Sequence, residues 1–102
     1  MQIDLYFGLV SDGREIGEAE WAAFLGEEVT PRFPAGLSVV EVAGQYHDPQ
    51  GRVTRERSKL LIVIVPDAPR HMAKVHAIVD IYKTRFSQLS VLHVERPICA
   101  AF

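Results

Sequence analysis

GQYHDPQGRVTRERSKLLIVIV, residues 44–65, is the stretch on which the fold turns. Two β-rich runs, 37–47 and 53–65, flank the connector Asp48-Pro49-Gln50-Gly51-Arg52. Pro49 and Gln50 suit the two central positions of a type I turn, and Gly51 suits the left-handed residue of a three-residue hairpin loop. Such a loop fixes a register. With Asp48 opposite Arg52, Gln45 falls against Arg55, Ala43 against Arg57, and Glu41 against Lys59 as a cross-strand ion pair. The second run ends in Leu60-Leu61-Ile62-Val63-Ile64-Val65, apolar on both faces, which marks a strand in the middle of a sheet.

The rest of the chain supplies the partners of that hairpin. Residues 3–10 alternate, with Ile3, Leu5, Phe7 and Leu9 on one side and Asp4, Tyr6 and Gly8 on the other, as a half-buried first strand would. After the polar turn Ser11-Asp12-Gly13, the spacing of Trp21, Phe24, Leu25 and Val29 predicts a helix from Glu18 to about Thr30, ended by Pro31 and Pro34. Asp67 and Pro69 open a second helix whose buried stripe is Met72, Val75, Val79, Tyr82 and Phe86. A last strand covers Val91 to Val94, and Pro97 behind it places that strand at a sheet edge. The order strand, helix, strand, strand, helix, strand is the α+β ferredoxin-like βαββαβ motif. It predicts a four-stranded antiparallel sheet, strands 1 and 3 central, with two helices on one face.

At 102 residues and 48% hydrophobic content, the chain reads as a single domain spanning 1–102 that buries its own core. A net charge of −2 gives no long-range field favouring nucleic acid or an anionic membrane. The longest apolar run, 60–65, cannot span a bilayer. The N-terminus lacks a basic start and a small-residue cleavage site, so the expected location is cytoplasmic. Cys99 is the single cysteine, expected as a small buried apolar residue. His71 and His76 do not share a helix face, and no standard ligand spacing is present, so neither a metal nor a cofactor is expected. Glu28 and Arg32 stand at the spacing of an ion pair closing the first helix.

Two helices cover one sheet face, so the parity of each strand decides what the other face displays. On this reading the open face carries Tyr6, Glu41, Gln45, His47, Arg55, Arg57, Lys59 and His93, followed by Val39, Leu61, Val63 and Val65. The apolar half predicts a homodimer formed through Leu61, Val63 and Val65. The polar half makes Tyr6, Gln45, Arg55, Arg57, Lys59 and His93 binding candidates: arginine forks grip carboxylate or phosphate, and tyrosine and histidine pass protons. Glu56 and Ser58, of opposite parity, are expected under the helices in a buried polar network with Tyr82 and Gln88.

The segments LYFGL at 5–9, EAEWAAFLGEEVTPRFPAGLSV at 18–39, GQYHDPQGRVTRERSKLLIV at 44–63 and YKTRFSQLSVL at 82–92 resemble the bacterial family catalogued as domain of unknown function 3574. The resemblance assigns no activity. Its recurring segments GQY and RERSK draw attention to Gln45, Glu56, Ser58 and Lys59. The functional expectation is a homodimeric module binding a small, partly apolar or aromatic anionic organic molecule, either as a binding domain or as a cofactor-free enzyme using tyrosine, histidine or arginine. A non-catalytic accessory or protein-interaction subunit is the alternative.

Overall fold

The computed structural model describes all residues, 1–102. The chain runs β1 (Gln2–Gly8), β2 (Val10–Ser11), β3 (Arg14–Glu15), α1 (Glu18–Phe24), β4 (Ser38–His47), β5 (Val53–Ile64), α2 (Pro69–Arg85) and β6 (Leu92–Arg96). Four strands form one antiparallel sheet in the order β4-β5-β1-β6, the ferredoxin-like arrangement, with β6 at an edge ahead of Pro97.

The hairpin follows its turn chemistry. Gln45 opposes Arg55, Ala43 opposes Arg57 and Glu41 opposes Lys59. Gly51 takes φ +78 and donates to the Asp48 carbonyl at 2.9 Å, while the Asp48 carboxylate accepts the N–H groups of Gln50 and Arg52, both at 2.9 Å. Pairing of β1 with β5 stops at Gly8 opposite Ser58, apart from one bond from Leu9 N–H to the Arg57 carbonyl. Residues 44–57 therefore project as a two-stranded arm from a molecule measuring 44 × 27 × 23 Å.

Two local features depart from the periodicity reading. Residues 10–15 form a small hairpin, β2 with β3, through Asp12-Gly13, both at positive φ (50 and 76), as a type I′ turn requires. The first helix is α-helical only to Phe24. Leu25–Val29 then widens into a π turn, with Thr30 N–H bonded to the Leu25 carbonyl at 2.9 Å. Its entry is capped by the Glu20 carboxylate, which accepts the Gly17 N–H and is held below the usual carboxylate range by a two-pronged bond from Arg14. The Glu28–Arg32 pair forms at 2.8 Å.

The core lies between the helices and one sheet face. Ile3, Leu5 and Phe7 point into it from β1, and Val75, Ile78 and Tyr82 from α2. Ile78 is fully buried, whereas the predicted Val79 packs at the margin of the core. Tyr82 is at the centre of an aromatic cluster, with ring centroids 4.7 Å from Phe7, 5.0 Å from Phe24 and 4.8 Å from Phe86.

The face assignment is inverted for β4, β5 and β6. Val63, Leu61 and Lys59 oppose Ile3, Leu5 and Phe7, so they share the helix-covered face. Leu61 is 0% exposed and Val63 1%, and Val65 packs against the same core; these residues offer no surface to a second copy. Leu60, Ile62 and Ile64 occupy the uncovered face, with Ile64 55% exposed. The cause is the double apolarity of β5: its alternation specifies neither face, and only its long-range pairing with β1 decides. Lys59 is tolerated at the rim of the core, at 6% exposure, because Glu18 and Glu41 receive its ammonium at 2.7 and 3.3 Å and raise its pKa. Cys99 is exposed, not buried, because the chain beyond Pro97 runs without regular structure along the surface.

Candidate functional site

Gly8 ends β1 where the arm leaves the body, and three segments converge on it. From the helix side, the Tyr82 hydroxyl donates to the Gly8 carbonyl. From the other side, Glu56 and Ser58 of β5 and Gln88 beyond α2 approach. The space a β-carbon would occupy on Gly8 lies 3.1 Å from Gln88 Oε1 and 3.3 Å from Glu56 Oε1. A β-carbon there would press on both side-chain oxygens, which would have to give by a few tenths of an ångström.

Helix termination aims Gln88. Phe86 caps α2, Ser87 adopts the left-handed conformation at φ 52, and Gln88 N–H bonds back to the Lys83 carbonyl at 3.0 Å, a Schellman closure with serine where glycine is usual. The turn carries the Gln88 amide over β1. There its Nε2 donates to the carbonyls of Val10 at 2.6 Å and Phe86 at 3.3 Å.

Around this point lies a cleft of about 620 Å³. Its floor is Tyr6 and Gly8, with Glu56 and Ser58 beside them; Gly44, Gln45 and Tyr46 of the arm form one wall and the loop Ser87–Ser90 with Leu92 the other. Val10 and Asp12 close one end. The two non-glycine residues of the chain at positive φ, Asp12 and Ser87, both border it. Each is explained by its turn, and each puts a loop at the cleft mouth.

The sequence-derived candidates divide between the two faces. Tyr6, Glu56, Ser58 and Gln88 line the cleft from the open face, whereas Gln45 borders it on the arm but opposes Arg55 and so has the helix-side parity. Arg57, Lys59 and His93 lie on the helix side. Arg57 pairs with Glu15 at 3.3 Å and Glu41 at 2.9 Å, and His93, opposite Leu5, has Nε2 2.9 Å from Glu95 Oε1. Arg55, exposed on the arm, shares their parity. These four therefore do not gather around Tyr6. The expected buried network is also redistributed. Tyr82 alone is buried, in the aromatic cluster, where loss of water raises its phenol pKa, whereas Glu56 is exposed and Ser58 and Gln88 are half-buried on the open side. Tyr46, half exposed on the cleft wall, was missed; its place in GQYH, one residue beyond Gln45, was the available signal.

The family model described as "Protein of unknown function (DUF3574)" matches residues 2–102, and the chain belongs to that family. No curated protein matches it. Among solved structures, a phage SAM lyase in complex with S-methyl-5′-thioadenosine is similar over 90% of this chain and 76% of that one, at 20% identity and a TM-score of 0.66. The apo state of a phage SAM lyase is similar over 90% and 75%, at 20% identity and a TM-score of 0.65. At that identity the likeness establishes a shared fold.

Proposed function

We propose that this family member binds a small organic molecule with a flat, partly apolar body, of the adenosine class, in the cleft over Gly8. The observation that carries the reading is convergence: two tyrosine rings, a carboxylate, a hydroxyl and a fixed amide, from separate segments, meet on one concavity of ligand-binding size. Tyr6 and Tyr46 supply aromatic faces against which a purine can stack. Glu56 and Ser58 supply an acceptor and a hydroxyl suited to ribose or to proton transfer. The phage SAM lyase of the same fold, in its complex with S-methyl-5′-thioadenosine, motivates the nucleoside class. The residues assigned to the site are Tyr6, Tyr46, Glu56, Ser58 and Gln88, with Gln45 at its border on the arm, working without a cofactor.

Calorimetric titration with S-methyl-5′-thioadenosine, S-adenosylmethionine and adenosine tests this. Saturable binding is expected, with a thermal shift worth about 2.7 kcal/mol at 100 times the dissociation constant. The Tyr6→Ala and Tyr46→Ala variants should each bind at least about tenfold more weakly. Product analysis of the S-adenosylmethionine incubation separates an enzyme from a binding module. Absence of saturable binding by all three compounds sinks the reading.

The homodimer belongs to the same proposal, transferred to the face that is open. Val40, Ile64 and Leu92 are about half exposed on the uncovered side of the sheet, which favours a second copy seated there. Sedimentation checks it, and a monomer at micromolar concentration refutes it. No helix is long and apolar enough to cross a membrane; the cytoplasmic location remains part of the proposal.

A further inference from the structure

The notch above Gly8 has a definite polarity. Gln88 cannot turn its amide around, because Nε2 is committed to two backbone carbonyls, Val10 and Phe86, which only a donor can satisfy. Its Oε1 is thereby fixed toward the notch, 3.1 Å from the position of the missing β-carbon. Glu56 brings a carboxylate oxygen to 3.3 Å from the same point. Two electron-rich oxygens thus face one small space. The Gly8 carbonyl takes no part, being engaged by Tyr82 from beneath.

No lysine, arginine or histidine lines the cleft, and its other charged residue, Asp12, is also acidic. The basic side chains Arg57 and Lys59 are across the sheet, paired with Glu15, Glu18 and Glu41. An anionic ligand group would meet uncompensated repulsion in the notch. A positively charged nitrogen would meet a carboxylate and a carbonyl oxygen together, the pairing that makes charge-assisted hydrogen bonds roughly twice as strong as neutral ones.

We infer that the notch over Gly8 receives an ammonium group of the ligand, with Glu56 supplying the charge and Gln88 Oε1 the direction. The inference rests on the small-molecule reading of the cleft and adds a sign to it. The two oxygens already close over the bare Gly8 α-carbon, so the cation sits on their cleft side. The sequence expectation of an anionic ligand is replaced, since the arginines that motivated it do not reach this face.

The experiment uses three nucleosides that differ only at the 5′ position: 5′-amino-5′-deoxyadenosine, adenosine, and adenosine 5′-carboxylate. Each is titrated calorimetrically at pH 7 against the wild type, Glu56→Gln and Gly8→Ala. The amine is expected to bind at least about tenfold more tightly than the carboxylate to the wild type. Glu56→Gln, at an exposed position, should fold normally and bring the two within about threefold. Gly8→Ala, whose new β-carbon forces the Gln88 and Glu56 oxygens aside by a few tenths of an ångström, should weaken the advantage of the amine while adenosine still binds. Equal affinities for the three nucleosides, or an amine preference unchanged in Glu56→Gln, overturn the inference and leave the cleft reading standing. No binding by any nucleoside overturns both.

Discussion

The two faces of this sheet are built from the same strands and do opposite things. On the helix side, Phe7, Leu61 and Val63 meet Trp21, Phe24 and Tyr82 in a sealed aromatic and aliphatic core, and the charges at its rim are paired. On the other side, one residue along each strand, Tyr6, Glu56 and Ser58 border an open cleft, and Leu60, Ile62 and Ile64 continue the row, the first two half-buried and Ile64 exposed beside the C-terminal Ile98 and Phe102. Gly8 joins the two: its carbonyl is tied to the core through Tyr82, and its bare α-carbon forms the floor of the cleft. A rigid packed layer can therefore hold a polar site in place through a single shared residue.

The contrast breaks most directly by exchanging neighbours on β5. Leu61→Ala should cost about 2–5 kcal/mol in urea unfolding, since it empties a fully enclosed position. Ile64→Ala, three residues on and facing out, should stay within about 0.5 kcal/mol at low protein concentration. Comparable losses would mean that the faces are not as distinct as described. A smaller effect probes the arm. Gly51→Ala meets no steric contact within 4 Å but forces alanine to φ +78, which should cost about 1 kcal/mol by chemical denaturation. An unchanged midpoint would show that the arm contributes nothing to the cooperative unit.

The smallest effect concerns pH on the packed side. Burial, with help from Arg70 and Lys74, holds the His71 pKa below the ordinary histidine value, and its Nδ1 lacks a partner. The native state then binds fewer protons than the unfolded state as pH falls below about 6.5, so this part of the stability is present above that pH and lost on acidification. Melting temperatures between pH 7.5 and 5 should fall less steeply in His71→Leu than in the wild type. Parallel slopes would remove His71 from the account.

Much of the site was legible but not its grouping. The recurring segments GQY and RERSK contain Tyr46, Glu56 and Ser58, which face the cleft. Arg57 and Lys59 sit in the same segment and point to the other face, because neighbours along a strand are separated by the sheet itself. The expected polar network already groups Gln88 with Glu56, yet the direction of Gln88 depends on the left-handed Ser87, for which no glycine gives warning.

By itself the sequence determined what local chemistry can determine. Pro49-Gln50-Gly51 set the hairpin and its register, Pro97 set an edge, and the spacing of aromatic residues set two helices on one side. The tertiary structure alone decided which side of β5 is buried. A strand apolar on both faces leaves its parity to a partner distant in sequence, and it is β1, by placing Leu5 against Leu61 and Gly8 against Ser58, that buries one row and opens the other.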